Sequence, residues 1–322
     1  MSGARAAFRF RHGAAAVPSV ARLVGNTPLV RLRRIGSEFP GVRLLAKLEF
    51  FNPGGSVKDR AALQMILDAE REGRISKDKI LIDSTSGNTG VAYAWLGAAL
   101  GYRVALVLPS NVSAARKQIT SAYGAELIYS DPMEGSDGAI RLVRKLVDEQ
   151  PDRYFYPDQY SNESNPLAHY LTTAPEIWEQ TSGAVTHFVC GIGTSGSVMG
   201  TGRRLKELRR DIQVVAVEPA EPFHGLEGLK HMSSSIVPGI YKEQELDEKL
   251  SVGTDEGWDL SDRLAAEEGL FVGHSGGAAL AGALRIARRL HERGEAGTVV
   301  TLFPDRADRY FEPSRWERRY SW

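Results

Sequence analysis

Residues 48–60 read LEFFNPGGSVKDR. Asn52, Pro53, Gly54 and Gly55 make a turn that neither a helix nor a strand interior tolerates. Ser56, with Asp59 three residues later, has capping-box spacing, with Asp in place of the usual Glu. The pattern predicts a helix from Ser56 to Gly73 whose apolar stripe is Ala62, Met65, Ile66 and Ala69. Lys58 then lies in its first turn, just behind a glycine-rich loop. The positive end of the helix dipole disfavours an ammonium there and favours the neutral amine. A neutral lysine amine is a nucleophile that forms a Schiff base with an aldehyde. Taken alone, Lys58 reads as an ordinary solvated lysine; the rest of the chain decides otherwise.

Working outward, apolar runs alternate with helical patterns. Strands are expected at 42–49, 79–83, 102–109, 125–130, 154–157, 186–190, 213–219 and 298–304. Helices are expected between them, including 136–149, 166–180, 258–268 and 276–293, and residues 220–250 read as irregular and polar. Solid apolar strands separated by helices call for a parallel sheet covered on both faces. In such α/β folds ligands bind beyond the carboxyl ends of the strands. Four polar turns belong there: 52–58, 84–90, 191–202 and 273–277.

Composition narrows the classes. The 322 residues suffice for two domains. Forty basic and 40 acidic side chains balance to a net charge of zero, so no basic excess points to nucleic acid. No apolar run reaches the length of a membrane span. A single cysteine, Cys190, excludes an intrachain disulfide and fits a reducing, cytoplasmic compartment. Residues 1–18 resemble a transit peptide in composition and are expected to be a disordered tail. No metal-ligand spacing is found; His224, Glu227 and His231 do not make one.

The segment GIGTSGSVMGTG (191–202) follows a strand and opens a helix, so its amides and helix N-terminus form an anion cup. Thr194, Ser195, Ser197 and Thr201 add hydroxyls. The same stretch matches G-x-G-x-x-G, with Glu218 at the place of a ribose acid, so an NAD-binding oxidoreductase competes. The hydroxyl lining suits a terminal phosphate monoester better than a pyrophosphate, and the dinucleotide reading leaves Lys58 unused. STSGNTG (84–90) is a second anion cup, of a size for a carboxylate. Two anion cups and a helix-N-terminal lysine suggest an amino acid and a phosphorylated aldehyde, that is, pyridoxal 5'-phosphate chemistry.

NPGGSVKDR (52–60), TSGNTG (85–90), GIGTSGSVMGTG (191–202) and GHSGGAA (273–279) resemble the fold-type-II pyridoxal-phosphate enzymes. Among these the chain is most similar to the cysteine synthases (O-acetylserine or O-phosphoserine sulfhydrylases), in particular the B branch. GNTPLVRL (25–32) and DQYSNESNP (158–166) match as well, and the resemblance runs from Ser19 to Tyr310. It implies a tryptophan-synthase-β-like α/β fold of two domains, each a mostly parallel sheet covered by helices. Residues 52–162 would form the smaller, mobile domain, and 19–51 with 163–322 the larger. Lys58 would hold the cofactor covalently and act as the base at Cα. Asn88 would bond the ring hydroxyl. Gly193, Thr194, Ser195, Gly196 and Ser197 would bind the phosphate, and Ser275 the pyridine nitrogen. Thr85, Ser86, Thr89 and Gln159 would bind the substrate carboxylate.

The resemblance also implies a homodimer acting on a small amino-acid substrate, with sulfide, thiosulfate or a thiocarboxylate-bearing sulfur-carrier protein as donor. A serine at the ring nitrogen does not force protonation as an aspartate would, which suits β-replacement over racemisation. SGNT in place of SGNH favours replacement over dehydration. The phosphate loop departs from the family at Ser195, and the ring-nitrogen loop at His274, which is expected to be a packed or solvent-facing histidine. Lys230 matches a position where some relatives carry a basic residue for phosphoserine. A cystathionine or diaminopropionate synthase is the nearest alternative activity.

Overall fold

A computed structural model of the chain describes residues 20–310, apart from Ser86 and Ser113. The tail expected over 1–18 lies outside these residues. The order is β1 (Leu29–Arg31), β2 (Val42–Leu48), α1 (Lys58–Arg71), β3 (Ile80–Ser84), α2 (Asn88–Leu100), β4 (Arg103–Pro109), α3 (Ala114–Ala122), β5 (Glu126–Ser130), α4 (Gly135–Glu149) and β6 (Tyr154–Phe155). There follow α5 (Ser164–Ala168), α6 (Ala174–Gln180), β7 (His187–Gly191), α7 (Gly196–Leu208), β8 (Gln213–Pro219), β9 (Glu248–Val252), α8 (Thr254–Arg263), α9 (His274–Glu292) and β10 (Gly297–Phe303).

Two sheets result. One runs β5-β4-β3-β6 and is parallel throughout. The other runs β1-β2-β10-β7-β8-β9 and is parallel except for β1, which pairs antiparallel with β2. The solid apolar runs are buried as their composition demands: every residue of β3 is buried, and only the first residue of β4 is exposed. The helix α4 packs on β3, β4 and β5, whereas α2 with α1 and α3 accounts for the other face. In the larger sheet, α9 packs across β2, β10, β7 and β8, while α7 lies on β7 and β8 with α5 and α6.

Several local expectations are corrected. The first helix begins at Lys58 rather than Ser56. Ser56 is drawn into a bridge with Asp305, and the Val57 N–H is donated to the Pro304 carbonyl at 2.9 Å. Beside those contacts Ser56 Oγ still accepts the Lys58 N–H at 3.3 Å, so Ser56 keeps part of the capping role expected of it. Asp59 reaches back past Ser56 to the Gly54 N–H and accepts from Trp95 Nε1 at 3.1 Å. The expected stripe of Ala62, Met65, Ile66 and Ala69 is fully buried. Within the stretch read as irregular, Glu248–Val252 forms β9 beside β8. Its sequence EKLSV is short and charged because it is an edge strand, so it lacks the apolar run that marks the interior strands. The helix expected over 166–180 starts at Ser164 and passes through a π-helical turn, His169–Thr173. The last two helices begin earlier than expected, at Thr254 and His274.

Candidate active site

The loops after β2, β3, β7 and β10 meet at the carboxyl ends of the two sheets, with the first turn of α9 beside them. Between them lies a cleft of about 760 Å³. Lys58, Thr85, Asn88, Thr89, Gln159, Gly193, Thr194, Ser195, Ser197, Lys230 and Ser275 all line it. Gly196 does not; it packs behind the loop, where a Cβ would fall 2.0 Å from Asn165 Oδ1. Ser86 lies outside the described residues.

Lys58 opens α1, and its backbone N–H donates to Ser56 Oγ at 3.3 Å. Burial pushes its amine below the ordinary lysine range, against the opposing influence of Asp305, Cys190 and Glu49. Desolvation therefore dominates, and the helix end adds to it. Cys190 sits on β7, where burial pushes its thiol up to about 12. It is a buried strand residue on the wall of the cleft, and burial favours its neutral thiol.

The loop 192–195 carries the strand β7 into α7. Ser195 adopts a left-handed conformation with φ 73°, which bends the chain sharply into the helix. Its Oγ is buried and has no hydrogen-bond partner among the described residues. Thr194 Oγ1 accepts from Asn165 Nδ2 at 3.1 Å, and Ser197 Oγ meets His169 Nε2 at 3.2 Å. His169 comes from the π-helical turn and also contacts Thr173 Oγ1 at 2.9 Å. Burial, with the nearby Arg60 charge, holds its imidazole down to about 3, so it stays neutral. In the opposite loop Thr89 Oγ1 donates to Gln159 Oε1 at 2.9 Å, which couples two of the expected carboxylate-binding residues.

Asn88 is held on both ends of its amide. Its Nδ2 donates to Asp305 Oδ2 and to Tyr310 OH, the latter at 3.3 Å, and its Oδ1 accepts from Arg309 Nη1 at 2.6 Å. Asp305 is 1 % exposed, and burial raises its carboxyl above the usual carboxylate range. Its Oδ1 has no hydrogen-bond partner among the described residues.

Comparison with known proteins agrees with this geometry. Residues 20–305 match the family described as pyridoxal-phosphate dependent enzyme. A cysteine synthase from Aquifex aeolicus is 53% identical over 294 residues, covering 91% of this chain and 90% of that protein. The chain belongs to the cysteine synthase family of pyridoxal-phosphate enzymes. Cysteine synthase B of Pseudomonas aeruginosa is 44% identical over 302 residues, 94% of this chain and 98% of its own. The crystal structure of cysteine synthase (OASS) from Entamoeba histolytica superposes with a TM-score of 0.87 at 36% identity, covering 98% of this chain and 93% of that one. The fold-type-II architecture expected from the motifs is therefore the one this family has.

The cleft suits the family's cofactor on its own geometry. It presents a desolvated amine, an orphaned buried hydroxyl at Ser195 in front of the 13-residue helix α7, and the buried Ser275 on the first turn of α9. The dinucleotide alternative is set aside by the family match, and its ribose acid, Glu218, does not line the cleft. Glu218 faces Lys249 at 3.4 Å and accepts the Met232 N–H at 3.2 Å, so both carboxylate oxygens are engaged. His274 packs between Trp258 and Tyr310, with ring centroids 5.1 and 6.2 Å away. Among the described residues no group of three or more His, Cys, Asp or Glu could hold a metal. No described helix is long and apolar enough to cross a membrane.

The sequence reading missed several residues of the cleft: Asp305, Tyr310, Tyr160, Arg116 and Glu227 line it too. Arg116 of α3 pairs with Glu227 and lies 5.3 Å above the Tyr310 ring. Lys230 Nζ lies 5.2 Å over the Tyr160 ring, and its backbone N–H donates to the Ile192 carbonyl at 2.8 Å. Burial lowers its amine, and Asp137 opposes that shift.

Proposed function

We propose that the chain makes L-cysteine by β-replacement, sulfur displacing the oxygen-linked group of an activated L-serine. The observation that carries this reading is one cleft holding Lys58, a hydroxyl-lined anion cup and a second polar turn coupled to Gln159. Pyridoxal 5'-phosphate, when bound, supplies the electron sink that makes the Cα proton removable. Gly193, Thr194, Ser195 and Ser197 would hold its phosphate, with Gly196 packed behind them and Ser197 oriented by the neutral His169. Asn88 would bind the ring hydroxyl and Ser275 the ring nitrogen. Thr85, Thr89 and Gln159 bind the substrate carboxylate, together with Ser86. Lys58 Nζ is the attachment point and then takes the Cα proton; its desolvation favours the neutral form a base requires.

The overall change is that O-acetyl-L-serine and hydrosulfide give L-cysteine and acetate, or O-phospho-L-serine and hydrosulfide give L-cysteine and phosphate. Lys230 places a cation on the cleft lining, which supports phosphoserine as a substrate, whereas Arg116 there is paired with Glu227. A thiocarboxylate-bearing carrier protein is a further candidate donor. Residues 52–162 serve as the smaller domain that moves over the substrate. A homodimer and a cytoplasmic location complete the reading, supported by the family and by a lone buried cysteine that forms no disulfide.

The test is to supply the purified holoprotein with acetylserine or phosphoserine and sulfide, and to quantify cysteine. Cysteine from either substrate, abolished in Lys58→Ala, supports the reading. A cofactor-loaded protein that makes none from either, but forms cystathionine or diaminopropionate with other nucleophiles, refutes it.

A further inference from the structure

The segment following β10 threads between three parts of the cleft. Asp305 bridges Ser56, the Pro304 carbonyl takes the Val57 N–H, and the Asp305 carbonyl takes the Gly273 N–H at 3.1 Å. The short turn Ala307–Tyr310 then brings Arg309 back over the turn that precedes Lys58. Arg309 Nη2 donates to the Gly54 carbonyl while Nη1 donates to Asn88 Oδ1 at 2.6 Å. Gly55 leaves the room: a Cβ there would stand 2.3 Å from Arg309 Nη2, at a backbone φ of +76°. Among the described residues, every side-chain partner of the Asn88 amide thus comes from residues 305–310.

This arrangement has a chemical consequence. A guanidinium carries donors only, so it accepts one orientation of a carboxamide, the one that presents oxygen. With Oδ1 committed to Arg309, the Asn88 NH₂ is turned toward Asp305 and Tyr310, both of which line the cleft. Flipping the amide would set NH₂ against the guanidinium and lose a charge-assisted bond. Arg309 itself does not line the cleft.

We propose that Arg309 is a positioning residue that fixes the Asn88 amide with its NH₂ on the Asp305–Tyr310 side, where the cofactor's ring hydroxyl would take the N–H that the long 3.3 Å contact gives to Tyr310, and that it ties Asn88 to the Lys58 turn. The inference rests on the reading that this cleft binds pyridoxal 5'-phosphate through Asn88. Its two contacts span the lysine turn and the head of α2, so one side chain sets the spacing of two cofactor-binding segments. Arg309 also faces the buried carboxyls of Asp59 and Asp305, which offers a merely structural role that the test must separate.

The test is a double-mutant cycle on cofactor affinity. Full-length protein is stripped of cofactor with hydroxylamine and titrated with pyridoxal 5'-phosphate by fluorescence. Arg309→Met is expected to weaken binding about 10-fold when Asn88 is intact and less than about two-fold in an Asn88→Ala background. Equal losses in both backgrounds, or no loss with Asn88 intact, would overturn the proposal. Arg309→Lys keeps the charge beside Asp59 and Asp305 but lacks the fork that reaches both acceptors. It is expected to stay at least about three-fold weakened, and full recovery would show that charge alone suffices and refute the positioning role. If Arg309→Met fails to fold, the lysine variant carries the cycle. Wild-type protein that binds no pyridoxal 5'-phosphate would instead overturn the cofactor reading of the cleft.

Discussion

Arg60 offers the sharpest test of how the Lys58 helix is held. Its side chain is fully buried two residues beyond Lys58. Nε donates to Glu49 Oε2 at 2.7 Å, Nη1 to Glu176 Oε1 at 2.7 Å, and Nη2 to Glu49, Glu176 and Thr27. Lys47 completes the cluster 2.7 Å from Glu176, so two cations balance two carboxylates. Replacing Arg60 by Met leaves two carboxylates facing one lysine in a dry interior. Removing one partner of a buried pair costs roughly 3–5 kcal/mol. The pH dependence follows from Glu49. Burial pushes its carboxyl up, but the Arg60 charge and hydrogen bonds, with Lys47 and Thr27, hold it down to about 2. A depressed carboxyl stabilises the fold above the unfolded-state value and loses that contribution as pH falls toward about 2. Without Arg60 the burial effect prevails, and protonation on acidification stabilises the variant. The gap between wild type and Arg60→Met is therefore widest above the variant's raised carboxyl value and narrows as pH falls through that value toward about 2. Urea unfolding of both proteins at pH 7.5 and pH 4 measures it. A loss below about 1 kcal/mol, or a gap that widens on acidification, would refute the reasoning.

Ser275→Asp sets a carboxylate where the ring nitrogen is read to lie, which favours the protonated ring. Exchange of the substrate Cα proton with D₂O is expected to rise relative to cysteine formation, and an unchanged ratio would count against that role. Lys230→Ala removes a point charge from the cleft lining. It should lower kcat/KM for phosphoserine by about one to two decades and leave acetylserine unaffected, as loss of a charge-assisted bond implies; equal effects on both would leave Lys230 without a part in selection.

The site was legible where chemistry is local. Glycine and hydroxyl turns at the ends of apolar strands declare themselves in sequence, since few other residues make such turns, and parallel topology then gathers them. What stayed hidden depends on distant pairs. Asn88 and Asp305 are 217 positions apart, Arg60 and Glu176 are 116 apart, and Arg116 and Glu227 are 111 apart. Nothing near Asn88 signals that its amide will be held by the segment after β10, because that contact exists only once β10 has paired with β2. The strand β9 escaped for the opposite reason: half-buried and charged, it bears no local mark, and only its pairing with β8 makes it a strand. His169 was passed over as a helix residue, although the π-helical turn aims it at the phosphate loop.

The central claim is that Lys58 is the attachment point of the cofactor, and borohydride reduction followed by peptide mass spectrometry tests it most directly. The holoprotein should be yellow, lose that absorbance on reduction, and yield a single modified peptide carrying the pyridoxyl group on Lys58. Lys58→Ala should yield none. A pyridoxyl group on another lysine, or a reduced peptide that persists in Lys58→Ala, would contradict the account.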